Sequence, residues 1–157
     1  MSEPDVSLSS EEFDDLLSRE AVVVLGSINA DGTPHLAPIW PIRVGGAIYV
    51  ETGARSRKAR NLFRCPAFAL SVGFGPWGPS GLLSGSARDV SDPLIRGQVR
   101  DVMVLRYYGS SSDPGYAKME AAYERSGGSV VFELAEEARS SWDYSKLPPE
   151  RSFLPRA

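Results

Sequence analysis

The sequence has almost no cysteine or histidine. Among 157 residues, Cys65 is the one cysteine and His35 is the one histidine. A disulfide framework and a cysteine-rich zinc site are therefore excluded. A Cys–His nucleophile pair would require these two side chains to meet in space. The composition thus offers little equipment for catalysis by the chain's own acid–base groups.

Long apolar runs and an excess of positive charge are also missing. The longest apolar run, 21–25, is far shorter than the ~20 residues of a membrane-spanning helix, and the N-terminus shows no signal-peptide pattern. The net charge of -3 creates no overall positive field that would attract nucleic acid. We therefore expect a cytoplasmic protein that binds neither nucleic acid nor a membrane.

The remaining composition is that of an ordinary globular domain. Hydrophobic residues make up 42% of the chain and charged residues 24%. A chain of this length buries roughly 70% of its extended-chain surface, so it has enough core to fold without a disulfide or a metal. We expect one domain over residues 1–144 and a proline-spaced tail over 145–157.

The order of caps, turns and alternating apolar residues predicts a mainly β protein with flanking helices. Ser9, Ser56, Asp92 and Asp113 are candidate helix N-caps. Strands are predicted over 21–28, 33–44, 47–52, 67–74, 82–90, 129–134 and 139–144. Hairpin-length turns between most of them indicate antiparallel pairing of six to seven strands in a small barrel. The three prolines within 33–44 predict an edge or bulged strand.

Five cations lie close together in this acidic protein, at the point where a strand gives way to a helix. They are Arg55, Arg57, Lys58, Arg60 and Arg64. Free backbone N–H groups and the positive end of the helix dipole make such a point a ready phosphate site, and Thr52 and Ser56 add hydroxyl groups. The alternative is a solvated basic face that pairs with nearby acids, and composition alone does not separate the two.

The proline-rich segment Pro34–Ile42 is a second candidate site. Its prolines remove ladder donors and bend the backbone, so a flat ring could lie against it. The alternative is an ordinary edge strand with a core tryptophan at Trp40.

Together these segments resemble the pyridoxamine 5'-phosphate oxidase-like split-barrel family. The shared pattern is the hairpin ADGTPHLAPIW, an apolar strand that ends near Thr52, and Ser-x-Lys-x-x-Asn-Leu followed by Pro66. Residues 10–90 carry it, and the later elements follow in the same order. The resemblance implies a homodimeric split β-barrel that binds FMN or the deazaflavin F420 at the dimer interface. The motifs are closer to the deazaflavin-dependent branch.

The resemblance also implies roles for individual residues. Arg57 and Lys58 match the pair that holds the cofactor phosphate, and the strand from Ala37 to Trp40 matches the one beside the ring system. The whole predicted cofactor-binding set is Ala37, Pro38, Ile39, Trp40, Thr52, Arg55, Ser56, Arg57, Lys58, Asn61 and Trp77. No catalytic residue is assigned, and no metal is expected.

Two departures from the family pattern argue against pyridoxamine phosphate as the substrate. The glutamine of the FMN oxidases is missing from Leu82–Ser86. Their arginine-rich substrate segment is not clearly present either, and Ser140–Tyr144 stands in its place.

The function implied is that of an oxidoreductase. It would transfer a hydride between F420 or FMN and a small unsaturated molecule, with the cofactor supplying the chemistry. The alternative is a non-catalytic carrier of FMN, F420 or haem, for which His35 is the one candidate histidine ligand. Trp77 and Trp142 are interpreted either as pocket residues or as local packing. Cys65 is interpreted as a small buried residue.

Overall fold

The strands of this protein form a single antiparallel sheet. A computed structural model describes residues 5–73, 75 and 77–153. Within them, seven strands follow the order β2-β1-β5-β6-β7-β4-β3. The strands are β1 (Val23–Ile28), β2 (Pro34–Ile39), β3 (Ile42–Val44), β4 (Ala47–Gly53), β5 (Ala67–Val72), β6 (Ser80–Asp89) and β7 (Ser129–Trp142). The helices are α1 (Ser10–Arg19), α2 (Arg57–Arg64), α3 (Pro93–Tyr107) and α4 (Pro114–Arg125). The predicted antiparallel sheet with flanking helices is confirmed.

The sheet curls into a half-barrel around one main core. Its two edge strands, β2 and β3, follow each other in the chain and are separated only by Trp40 and Pro41. Inward-facing side chains of β1, β2, β4, β5, β6 and β7 share one buried cluster with residues of α1 and α2. Phe13 and Leu17 of α1 and Leu62 of α2 are each at most 2% exposed in this cluster. Burial of this apolar surface is the main stabilising contribution to the fold.

A second, smaller core fixes α3 and α4 on the outside of the sheet. Ile42, Tyr49 and Val131 point outward from β3, β4 and β7 and pack against Val99 and Met103 of α3. The helices therefore cover the β3–β4–β7 end of the outer face. This arrangement brings α4 over β4, where it borders the site described below.

The predicted helix caps are confirmed and explain where the helices start. Ser9 and Glu12 form a reciprocal capping box at α1. Ser56 accepts a hydrogen bond from the backbone N–H of Ala59 at the start of α2. Asp92 and Asp113 each cap a helix whose first residue is proline.

The prediction of one continuous strand over 33–44 is wrong. The segment forms β2 and β3, which lie at opposite edges of the sheet. The break falls at Trp40 and Pro41, since a proline has no N–H to donate to a ladder and the chain must cross from one edge to the other. The expected edge position of the proline-rich strand is confirmed.

The prediction of two final strands is also wrong, because 129–142 is one long strand. Residues 135–138 form no turn. The pairing of β7 with β6 shifts by one residue there, at a β-bulge. Ser84 pairs with Ala138 while the next residue, Gly85, pairs with Glu136, so Glu137 is the extra residue. A Cβ at Gly85 would lie 2.0 Å from the carbonyl oxygen of Ala135, so this close approach requires glycine.

The segment after β7 packs back on the N-terminal part of the chain. Lys146 forms an ion pair of 2.8 Å with Glu12 and donates a 2.7 Å hydrogen bond to the carbonyl of Ser7. The ring of Phe153 lies edge-on to those of Tyr144 and Trp77. In the part of the chain that the structure describes, no helix is both long and apolar enough to cross a membrane.

Candidate functional site

A groove of about 250 Å³ lies between four elements. These are the end of β2, the end of β4, the first turn of α2, and the part of α4 that carries Met119 and Tyr123. It brings together five residues of the predicted cofactor-binding set with three others. Its lining consists of Pro38, Ile39, Trp40, Glu51, Thr52, Lys58, Met119 and Tyr123. The groove thus joins the two segments that were separate candidates in the sequence.

Lys58 is an uncompensated cation in this groove. Its side chain is partly buried, and it has no hydrogen bond or ion pair with any residue that the structure describes. Burial lowers its pKa, since removing water from around the ammonium disfavours the charged form. A partly buried cation without an acidic partner is a favourable place for an anion from outside the chain.

The one acid in the lining, Glu51, is committed to another partner. Its side chain is 2% exposed and receives the guanidinium of Arg100 through two hydrogen bonds, of which Nε to Oε2 measures 2.9 Å. Ser129 Oγ donates to the same carboxylate over 2.5 Å. The carboxylate of Glu51 is therefore committed to Arg100 and Ser129, and it forms no ion pair with Lys58.

Hydrogen-bond donors surround the same end of the groove. The hydroxyl oxygens of Thr52 and Ser56 lie 3.2 Å apart. Ser56 caps α2, but the backbone N–H groups of Arg57 and Lys58 have no acceptor among the described residues. These groups and the positive end of the helix dipole add to the potential that Lys58 creates.

The wall opposite β4 comes from α4, which the ion pairs of Arg100 hold in place. Arg100 also pairs with Glu120 of α4, and its guanidinium carbon lies 5.6 Å from the ring centroid of Tyr123. The Tyr123 hydroxyl donates a 3.4 Å hydrogen bond to the carbonyl of Glu51. Burial and the nearby Glu51 raise the pKa of Tyr123, so its hydroxyl remains a neutral donor at physiological pH.

Trp40 forms the apolar end of the groove and is held by other aromatic rings. It stacks on Tyr107 with centroids 4.5 Å apart and an interplanar angle of 12°. Tyr108 meets it edge-on at 5.7 Å. Tyr107 is itself fixed by its hydroxyl, which lies 2.9 Å from the carbonyl oxygen of Ala21 and 3.1 Å from that of Pro41.

Arg57 and Asn61 lie outside this groove. They line a second cleft of about 470 Å³ between the β1–β2 turn and α2. The Asn61 amide is 3% exposed and donates to Ser27 Oγ and Asn29 Oδ1, both at 3.1 Å, so it fixes the turn on the helix. The full lining of this cleft is Asn29, Ala30, Asp31, Arg57, Arg60, Asn61 and Arg64.

The remaining predicted residues are dispersed. Ala37 is buried on the inner face of β2. Arg55 donates from its backbone to Ser126 Oγ at 3.1 Å, with its guanidinium against Gly127. Trp77 contacts Phe153 with ring centroids 5.9 Å apart. Among the described residues, no group of three or more His, Cys, Asp and Glu side chains could hold a metal ion.

The sequence did not predict three of the groove residues, Glu51, Met119 and Tyr123. Glu51 adjoins Thr52 in β4, but its burial depends on Arg100, which is 49 residues away in the chain. Met119 and Tyr123 reach the groove only because α4 packs over β4. No local signal in the sequence indicates that packing.

Comparison with known proteins identifies the family. The family model described as pyridoxamine 5'-phosphate oxidase matches residues 9–143. The chain belongs to this family. The match covers the half-barrel and both segments that form the groove, and it confirms the predicted split-barrel fold. The comparison with curated proteins gives no significant match.

Several solved structures have the same fold as this chain. A conserved hypothetical protein from Mycobacterium tuberculosis is 27% identical, with a TM-score of 0.77 and 94% of each chain covered. A FAD-binding protein from Mesorhizobium loti is 21% identical with a TM-score of 0.61, covering 86% of this chain and 94% of its own. An F420 reductase is 23% identical with a TM-score of 0.59, covering 81% and 94%. One of these names describes an activity and another only a bound cofactor, so the fold alone does not distinguish an enzyme from a carrier.

Proposed function

We propose that this protein is an oxidoreductase that binds F420 or FMN in the groove and reduces a small unsaturated molecule. The observation that carries the proposal is Lys58, a partly buried cation without an acidic partner in a groove whose other end is apolar. Both cofactors combine a negatively charged phosphate group with a flat ring system. The two ends of the groove provide complementary surfaces for these two parts.

The residues at the polar end suit a phosphate group. Lys58 would supply the charge, Thr52 its hydroxyl, and the first turn of α2 its free N–H groups. Pro38, which is exposed and lines the groove, would offer an apolar contact to the ring at the end of β2. Bound and reduced, F420 or FMN would supply the chemistry of hydride transfer to an acceptor double bond, with the accompanying proton coming from water.

The proposal includes a homodimer. The part of the outer sheet face that α3 and α4 leave uncovered offers a surface for it. Two neighbouring rows of outward-facing side chains run across five strands, and none of the side chains in these rows is charged. By strand register one row is Leu36, Gly26, Ala69, Ser84 and Ala138, and the other is Pro38, Val24, Ser71, Leu82 and Ser140. Leu36 is 70% exposed and Leu82 is 44% exposed. Such an uncharged face, partly apolar, is typical of a surface that a second molecule covers.

The position of Pro38 links this surface to the groove. Pro38 belongs to the second outward-facing row and also lines the groove. A second copy of the chain on the two rows would therefore border the groove. This supports a cofactor site at the dimer interface.

The proposal is tested by equilibrium titration of the purified protein with F420 and, separately, with FMN. We expect one of them to bind, and Lys58→Ala to weaken that binding roughly 10- to 140-fold, the usual effect of losing a hydrogen bond to a charged group. Lys118→Ala, at an exposed position of α4, is the matched control and should bind as the wild type does. Unchanged affinity of Lys58→Ala would contradict the proposed site.

Turnover separates an enzyme from a carrier. The reduced cofactor, mixed with the protein and an excess of a conjugated enone, should be oxidised faster than in the absence of protein. Tight binding without any acceleration, over a panel of conjugated acceptors, would indicate a carrier. A Soret band after incubation with haemin and no affinity for either flavin-type cofactor would indicate a haem protein instead.

A further inference from the structure

Trp40 is held in a fixed orientation yet remains partly open. One face of its ring is covered by Tyr107 and one edge by Tyr108. Its neighbours Ile39 and Pro41 are both buried, which fixes the backbone on each side. Despite these contacts, Trp40 is 36% exposed. The aromatic packing therefore orients an indole ring without burying it, and this is the arrangement of a binding surface prepared before its ligand arrives.

The surroundings of Trp40 define what this surface can bind. Pro38, Ile39 and Met119 are the apolar residues that line the groove with it. The thioether of Met119 is polarisable and adapts to aromatic ligands of different shape. The unpaired cation of the groove is Lys58, since the carboxylate of Glu51 is held by Arg100. Trp40 thus offers the exposed part of its indole ring and apolar contacts to a ligand, while Lys58 is available for the cofactor phosphate.

We infer that the open part of Trp40 holds the hydride acceptor, and that this acceptor is an uncharged, planar molecule with an aromatic ring conjugated to its double bond. The inference rests on the proposed function and adds the substrate class to it. Stacking on a preoriented indole favours a flat aromatic molecule over an aliphatic one of equal reactivity. Conjugation places the reducible bond in the plane of the stacked ring. The assignment differs from the sequence-based expectation that Trp40 contacts the cofactor ring.

The test compares two enones that differ in one group. Benzylideneacetone carries a phenyl ring where ethylideneacetone carries a methyl group. The preference is measured as the kcat/KM of benzylideneacetone divided by that of ethylideneacetone, and it is compared between variants so that the different intrinsic reactivities of the two enones cancel. Trp40→Leu should reduce this preference about 2- to 12-fold, the range expected for the loss of an aromatic pair. Trp40→Tyr should retain most of it, because it keeps a ring.

A second readout does not depend on turnover. Saturation-transfer NMR of the cofactor-free protein should show magnetisation passing to the phenyl protons of benzylideneacetone, and Trp40→Leu should reduce that transfer. Phe63→Leu is the matched control, since Phe63 is another exposed aromatic ring, at 54%, and lies outside the groove. This variant should keep both the enone preference and the NMR signal.

The possible failures can be told apart. If Trp40→Leu weakens cofactor binding and slows both enones equally, Trp40 contacts the cofactor ring; the inference is then overturned and the proposed function stands. A preference for benzylideneacetone that is the same in Trp40→Leu as in the wild type also overturns the inference alone. If the wild type binds neither F420 nor FMN, both the proposed function and the inference are overturned. Unchanged cofactor affinity in Trp40→Leu also shows that the variant is folded.

Discussion

The ion pair between Arg100 and Glu51 joins α3 to the strand that lines the groove, so its removal should be costly. The Glu51 side chain is 2% exposed and that of Arg100 is 24% exposed. In Arg100→Met the carboxylate would keep only the hydrogen bond from Ser129 Oγ. Truncating one partner of a buried pair generally costs about 3–5 kcal/mol, because the other charge stays buried without compensation. Since Arg100 is partly exposed, we expect the lower end, about 3 kcal/mol.

The double variant Arg100→Met/Glu51→Met separates the buried charge from simple loss of contacts. It leaves no charge at the position of Glu51, so its free energy of unfolding should lie within about 1 kcal/mol of the wild-type value. Urea denaturation at one fixed protein concentration measures both variants, since dimerisation would make the midpoint concentration-dependent. A loss below about 1 kcal/mol in Arg100→Met would refute this reasoning. So would a double variant as unstable as the sum of the two single variants.

Three further predictions concern the sheet, the dimer and the groove. Gly85→Val should destabilise the protein by more than about 2 kcal/mol in urea denaturation, because a Cβ there meets the carbonyl oxygen of Ala135; a neutral effect would contradict the bulge. Leu82→Arg should convert a dimer to a monomer in sedimentation velocity without loss of helix or strand signal, and a variant that stays dimeric would place the interface elsewhere. Cofactor affinity should fall as pH rises from 7 to 10, and from a lower pH than an exposed lysine would give, because burial lowers the pKa of Lys58 and its charge is lost earlier. Lys58→Arg, which stays charged, should show a flatter profile, and identical profiles would contradict the role of Lys58.

The local features of this fold could be predicted from the sequence because local chemistry determines them. The cap residues Ser9, Ser56, Asp92 and Asp113 start helices where the sequence predicts them. Glycines at 45 and 46 adopt the positive φ values that the β3–β4 hairpin requires. These features depend on residues within four positions of each other, so no tertiary information is needed to find them.

The strand errors and the incomplete site have a common physical cause. The predicted strand is interrupted at Pro41 because β2 and β3 lie at opposite edges of the sheet. Strand order is a property of the whole sheet, so local sequence does not reveal it. Likewise, Tyr123 enters the groove because Arg100 holds α4 near β4 through partners distant in sequence. Consecutive cations on α2 point in different directions, since neighbouring residues of a helix are about 100° apart. Arg57 therefore lines one cleft and Lys58 another.

The central claim, that Lys58 receives the phosphate of a flavin-type cofactor, can be tested directly by amine labelling. The chain has three lysines, and Lys118 and Lys146 serve as internal references. Acetylation of the three sites can be followed by mass spectrometry with and without saturating F420 or FMN. We predict that one of these cofactors slows the acetylation of Lys58 at least several-fold and leaves the other two lysines unchanged. Equal acetylation rates of Lys58 in the presence and absence of a cofactor that binds would contradict the account.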